Sequence, residues 1–395
     1  MKKTILKIVC SLTVFAFIIS AGAHAGLSKN VSETVSDAPL TVRTLTVKQN
    51  EDAVQTTSST DPLVTEALDT KQELRFNEDG NFKILVISDV QEEYPIKDVT
   101  MNYINRMLDE EKPDLVLFTG DNHCGRITNK KTMKMYITQF AEPMESRQIP
   151  WAQVYGNHVE GGYNYDCGIS KEEQQAMFES FEYNLSKAGT VSGSGNYVIP
   201  VLRSDSDEIA YNVFCLDSHD YMYKYQDHTY GDGFEQSVFP AKIYSGNVYD
   251  VIHFDQIKWY WDTSVALENY NGKPIPAMMM FHIPLWETSY VSENRSQTGF
   301  EGYKADPISA PEINSGLFWA LYERGDVKTI VNGHDHLNSF QGKYMGVTFA
   351  YAASIGAVEY NDDRSKGVRV INVNQDDAYN AETHMIYVKD LDKED

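Results

Sequence analysis

The sequence predicts an α/β fold. Three observations carry that expectation. Short apolar runs of strand length recur from residue 83 onward, helix-length stretches separate most of them, and the last runs follow one another without a helix. No self-similarity appears at a period of about 20 to 50 residues, so residues 76–395 read as one domain.

Taken in order, residues 1–25 stand apart. "MKKTILKIVCSLTVFAFIISAGAHA" opens with Lys2, Lys3 and Lys7, continues through an apolar run, and closes on the small-residue pattern Ala23-His24-Ala25. That order reads as a secretory signal cleaved near Ala25, which would send the mature chain to the periplasm or the outside medium. An uncleaved anchor is the rival reading, because the run is near the lower limit for crossing a bilayer. No other segment is long and apolar enough to span, so stable membrane insertion of the mature chain is not expected. Residues 26–75 are rich in Ser, Thr, Val and acidic side chains without an apolar period, which predicts a weakly ordered spacer.

A turn follows at Asp79-Gly80, read as a hairpin. Beyond it "KILVIS", "DLVLFT", "WAQVYG", "YNVFCL", "AMMMFH", "KTIVNG", "VTFAYAA" and "VRVINV" read as buried strands. "VTMNYINRMLDEE", "KEEQQAMFESFEYNLSKA", "FDQIKWYWDTSVALENY" and "INSGLFWALYERG" read as helices.

The chain carries 57 acidic against 34 basic side chains, a net charge of −23 that grows more negative without the leader lysines. Such a surface repels nucleic-acid backbones and anionic lipid. A small substrate is favoured over a nucleic acid polymer. Cys124, Cys167 and Cys215 are an odd set for an oxidising compartment, so disulfides do not hold this fold together.

Polar residues gather where the strands end, the side on which α/β folds bind ligands. Asp89 and Gln91 follow "ILVIS"; Asp121, Asn122 and His123 follow "LVLFTG"; Asn157 and His158 follow "AQVYG"; His282 follows "MMMF"; His334, Asp335 and His336 follow "TIVNG". One such Asp is ordinarily a turn or cap residue. Five strand ends carrying the ligand types of one metal centre are not explained that way.

The ordered set "DVQ", "GDNH", "GNH", "FH" and "GHDH" resembles the calcineurin-like metallophosphoesterases, whose pattern runs D-x-H, G-D-x-x, G-N-H-[DE], H, G-H-x-H. The resemblance implies a four-layer α/β/β/α sandwich with two central mixed sheets. It also implies two divalent or mixed-valence metal ions (Mn, Fe or Zn), a small phosphate mono- or diester as substrate, and attack by a metal-bound hydroxide. By the same resemblance Asp121 bridges the two metals, Asp89 and His336 serve the first with Gln91 beside them, and Asn157, His282 and His334 serve the second. His158 would steady the phosphoryl oxygen or protonate the leaving alkoxide.

The chain departs from the family pattern at several positions. Gln91 stands where a metal-binding histidine is usual, so either its amide carbonyl substitutes as a weaker ligand or water does. The purple acid phosphatases, relatives that also lack this histidine, supply a tyrosine three residues after the bridging aspartate. Cys124 occupies that place here, as a thiolate ligand or a structural thiol. His123 is a candidate substitute ligand or substrate contact. After His158 the usual acid is replaced by Val159, with Glu160 one place further along.

Candidate substrate contacts are His123, Arg126 and His219. Arg126 with Lys130 and Lys131 would hold a second charged group, or simply solvate a helix start. The run from Ser218 to Phe239, with His219, Tyr221, Tyr223, Tyr225, His228 and Tyr230, either lines a cleft or forms a tyrosine-rich surface loop. H-E-x-x-H and G-x-S-x-G are both absent, which excludes the common metalloprotease and serine-hydrolase readings. Two other functions stay open: a metal-deficient member of the fold acting as a binding protein, and a nucleotide-specific phosphodiesterase.

Overall fold

The computed structural model describes residues 61–161, 167–221 and 249–391. The leader, most of the expected spacer, and Tyr223, Tyr225, His228 and Tyr230 lie outside the described residues.

The strands are β1 Leu74–Arg75, β2 Asn81–Ile87, β3 Leu115–Phe118, β4 Trp151–Gln153, β5 Tyr197–Leu202, β6 Ile209–Cys215, β7 Ala277–Met280, β8 Val327–Asn332, β9 Gln341–Tyr344, β10 Val347–Tyr351, β11 Gly367–Asn374 and β12 Glu382–Tyr387. They form two mixed sheets, ordered β1-β5-β6-β7-β8-β10-β9 and β12-β11-β2-β3-β4. In the first, β6, β7, β8 and β10 run parallel; in the second, β2, β3 and β4 do. Antiparallel β9, β11 and β12 complete the sheets from the end of the chain, as the strand-only runs there imply.

Alternation along each strand builds the layers, because successive side chains point to opposite faces. Ile84, Val86, Leu115 and Leu117 of one sheet meet Val213, Met278, Met280 and Val331 of the other in the central core. Their neighbours Leu85, Ile87, Val116 and Phe118 turn outward beneath α2 Asp98–Glu111, α3 Lys130–Glu145, α4 Lys171–Phe178 and the C-terminal α9 Val388–Leu391. On the other side Phe214, Met279, Ile330 and Phe349 pack beneath α1 Pro62–Leu68, α5 Phe254–Asn271, α6 Glu287–Glu293 and α8 Leu317–Arg324, with the short α7 Arg295–Thr298 beside β9. The result is the four-layer α/β/β/α sandwich. Both faces of each sheet are covered, so the strands read as unbroken apolar runs. Each buried Leu, Ile or Met contributes about 1.5–3 kcal/mol.

Three expectations need correction. The spacer does not run to residue 75: Asp61 caps α1 by accepting from Leu63 N, Pro62 starts the helix, Val64 and Ala67 are buried, and β1 pairs with β5. A seven-residue helix and a two-residue strand are too short to show a period. Asp79-Gly80 is a turn, with Gly80 at φ +74°, but it carries the chain from β1 in one sheet to β2 in the other and makes no hairpin between them. Finally, α4 stops at Phe178 instead of running to residue 188. The following chain pairs with β4, where Trp151 N donates to Tyr183 O and Leu185 N to Trp151 O.

Among the described residues no helix is long and apolar enough to cross a membrane.

Candidate metal centre

The carboxyl ends of β2, β3 and β4 in one sheet meet those of β7 and β8 in the other. Asp89, Gln91, Asp121 and His334 all hold left-handed backbone there, at φ 46°, 39°, 47° and 78°. Non-glycine residues adopt that region at a cost of roughly 1–2 kcal/mol each, and such strain persists where the surroundings overdetermine it. Here Asp89 N donates to Gly120 O at 3.2 Å and Gln91 N to Asp121 O at 3.0 Å. His334 N donates to Asp89 Oδ2 at 3.0 Å.

Two motif glycines permit the close approach. A Cβ on Gly156 would lie 2.2 Å from Asp121 Oδ1, and one on Gly333 would lie 2.6 Å from Asp89 Oδ2. Any side chain at either place would push a carboxylate out of position.

Asp121 sits at the middle. Its Oδ1 accepts from His158 N at 2.9 Å, and its Oδ2 stands 3.1 Å from His282 Nε2 and 3.9 Å from His158 Nε2. Asp89 Oδ1 lies 3.4 Å from His336 Nε2 and 3.8 Å from His282 Nε2. Asp89 Oδ2 is held by Ser88 Oγ at 2.5 Å, and Ser88 Oγ accepts from Thr119 Oγ1 at 2.6 Å. Asp121, His282 and His334 each place a ligand atom within 4.8 Å of the others.

The imidazoles are oriented from behind. His282 Nδ1 lies 2.9 Å from Thr119 O and His336 Nδ1 lies 2.9 Å from Tyr360 O, so each Nδ1 carries a proton and each Nε2 faces the cluster, free to offer a lone pair once a cation displaces its proton. Tyr360 also stacks on His336 at 4.3 Å. Burial works against a charge on His282, but the Asp121 and Asp89 carboxylates outweigh it and lift its pKa to about 9. Burial and the neighbouring His282 push His334 down to about 3, leaving it neutral.

Asn157 Oδ1 and His334 Nε2 are buried with no hydrogen-bond partner, and Asp89 Oδ1 and His282 Nε2 meet only charged neighbours, His336 Nε2 at 3.4 Å and Asp121 Oδ2 at 3.1 Å respectively, without a well-formed hydrogen bond. A buried polar atom left unpaired costs about 1–3 kcal/mol, and those of Asp89 and His282 lie 3.8 Å apart, close enough to share one partner. Carboxylate and amide oxygens with imidazole nitrogens are the donor set of Mn, Fe and Zn, so these residues fit cations. His158 keeps a third of its side chain exposed at the edge. It is the member of the set open to an incoming molecule.

Other candidates fall elsewhere. It is the Gln91 amide nitrogen, not its carbonyl, that meets the cluster, donating to Asp121 Oδ2 at 2.9 Å. An amide nitrogen has no lone pair for a cation. His123 is buried with both ring nitrogens used, Nε2 against Gln174 Oε1 at 2.9 Å and Nδ1 accepting from Gly125 N at 3.1 Å, so it is not a substrate contact. His219 is likewise buried, with Nε2 2.9 Å from Gln256 Oε1 and its ring stacked on His253. Arg126 pairs with Glu93 and Glu359, which neutralise the charge expected to meet substrate. Glu160 Oε1 accepts from Lys171 N at 2.8 Å, so it serves the start of α4.

Burial pushes the Cys124 thiol up to about 11, and Cys124 is not among the residues that bring a ligand atom to the cluster; Cys124, Cys167 and Cys215 are all free. The reading of the sequence missed Ser88, Thr119 and Tyr360 behind the ligands. Only a three-dimensional contact reveals them.

Residues 82–338 match the family model described as calcineurin-like phosphoesterase. Among curated relatives, the chain is 29% identical over 336 residues to a protein of Arabidopsis thaliana named probable inactive purple acid phosphatase 14, covering 76% of this chain and 77% of that one. It is also 29% identical over 290 residues to the phosphatase DCR2 of Saccharomyces cerevisiae, covering 68% of this chain and 46% of that one. Among solved structures, a dimetal phosphatase from Danio rerio aligns at TM-score 0.46 and 12% identity over 78% of this chain and 98% of that one. The chain belongs to the calcineurin-like phosphoesterase family.

Proposed function

We propose that this protein is an active phosphoesterase that hydrolyses small phosphate mono- or diesters at a two-metal site. The observation that carries the reading is the convergence of Asp121, His282 and His334 within 4.8 Å of one another, together with donor atoms of Asp89, Asn157, His282 and His334 that are buried and not hydrogen-bonded. Asp121 would bridge the cations, Asp89 and His336 would hold one, and Asn157, His282 and His334 the other. When bound, two such cations supply Lewis acidity toward phosphoryl oxygens and a water made acidic near neutral pH.

The chain's own residues do the rest. Asp121 and Asp89 bring the negative charge that holds cations, while Asn157 binds through a neutral oxygen and so limits repulsion of an anionic ester. His158, exposed beside Asp121, is placed to hold a phosphoryl oxygen or to pass a proton to the leaving alkoxide. Export of the mature chain is part of the proposal, supported by the order of basic, apolar and small residues in the leader.

One observation favours a second reading, that of a binding protein with an impaired first site. Gln91 presents N–H to Asp121 where the family pattern has histidine, and the Arabidopsis relative is named probable inactive. The test is turnover of para-nitrophenyl phosphate and of its bis-aryl diester with Mn, Zn or Fe supplied, on wild type and Asp121→Asn. Turnover by the wild type that the variant loses supports the enzyme. No turnover on either ester with any of the three metals would contradict it.

A further inference from the structure

We propose that Tyr221 is a positioning residue of the metal centre, holding the Asn157 amide so that its carbonyl oxygen faces the cation shared with His282 and His334. This rests on the two-metal reading above. Asn157 has two polar ends in different situations. Its Nδ2 donates to Tyr221 Oη at 2.9 Å, while its Oδ1 is buried with no partner.

An amide turned about its last bond would offer a cation two N–H groups and no lone pair. The phenol gives the nitrogen an acceptor, which fixes which end of the amide is oxygen and leaves that oxygen unbonded and available to a cation. The bond also joins the two sheets, since Asn157 lies beyond β4 and Tyr221 beyond β6, 64 residues apart.

The phenol is itself held. Tyr221 and Tyr249 form an antiparallel bridge, and their rings stack at 5.3 Å and 27°. Tyr249 in turn meets the His334 ring edge-on at 4.6 Å and 87°. One tyrosine pair therefore braces two donors of the same cation, Asn157 through a hydrogen bond and His334 through a ring contact. Partners behind metal ligands typically change metal affinity about 10- to 100-fold when removed.

The test is calorimetric titration of chelated, metal-free full-length protein with Mn²⁺ or Zn²⁺, comparing wild type, Tyr221→Phe, Asn157→Ala and the double variant. Wild type should take up two equivalents. Tyr221→Phe should weaken one of them about tenfold or more and leave the other unchanged. In the Asn157→Ala background the same substitution should add nothing, because its effect runs through Asn157.

Unchanged affinities in Tyr221→Phe would overturn the inference. So would an equal loss in the Asn157→Ala background, which would mark a general structural role. In both cases two equivalents bound by wild type would leave the two-metal reading standing. Wild type that binds no metal would overturn that reading and the inference with it.

Discussion

Asp121, His282 and His334 bring one ligand atom each within 4.8 Å of one another, and so do His219, Asp250 and His253. Proximity does not separate the two clusters. Hydrogen bonding does. In the second cluster His219 Nε2 faces Gln256 Oε1 at 2.9 Å, His253 Nε2 faces Asp250 Oδ2 at 3.1 Å, and Asp250 Oδ1 accepts from Val251 N at 2.8 Å. Gln256 completes the network, accepting from His253 N and donating to Asn196 Oδ1 and Asp217 O.

Asp217 beside it is equally satisfied, taking Lys171 Nζ on both oxygens at 2.9 Å and Ser194 N at 2.9 Å. The first cluster and the residues beside it instead leave donor atoms of Asp89, Asn157, His282 and His334 buried without hydrogen bonds. A histidine–carboxylate group with every proton placed anchors a helix start; one with lone pairs left over is built for a cation.

The sharpest way to break this contrast is Asp121→Asn, which keeps shape and removes the carboxylate at the centre. Metal content should fall below two per chain, and kcat/KM should fall roughly a thousandfold, the several kcal/mol of charge stabilisation that Lewis acids supply. Elemental analysis with aryl phosphate kinetics checks it.

In the satisfied cluster Lys171→Met should act on stability instead. It leaves Asp217 charged and buried, at about 3–5 kcal/mol, without changing metal content. Urea unfolding measures this loss. Burial alone would raise the Asp217 pKa, yet Lys171, His219 and the Ser194 N–H outweigh it and hold it low. The wild type should therefore keep this contribution above about pH 4 and lose it as pH falls through the lowered native value.

His158→Ala should retain both metals and lower kcat about a hundredfold or more, as removal of a proton-transferring group does. Loss of metal in this variant would assign His158 to the ligand set instead. Gln91→His, the smallest effect, should tighten one metal about tenfold, since a ring nitrogen would replace an N–H donor. Unchanged affinity would mean that the first site does not use this position.

Much of this contrast was legible in the sequence, for a physical reason. Strands buried on both faces are unbroken apolar runs, so β2, β3, β7 and β8 announce themselves and the polar residue after each is conspicuous. Strand β5 is less legible because Pro200 interrupts it, opposite Asn212 of β6. The true end of α4 depends on pairing with β4, a tertiary event that helix propensity does not foresee.

At the site, residue type showed that His282 and His334 were candidates and misplaced His123 and His219, because a sequence does not record which ring nitrogens are already bonded. Tyr221 stood among several tyrosines of one stretch, and only its contact with Asn157 distinguishes it.

The central claim is that the unpartnered atoms around Asp121 hold cations, and metal content of the purified full-length protein tests it most directly. Elemental analysis after exposure to Mn, Zn or Fe and removal of loosely held ions should find close to two metals per chain, falling in Asp121→Asn and unchanged in His253→Ala. No bound metal in the wild type, or a loss in His253→Ala as large as in Asp121→Asn, would contradict the account.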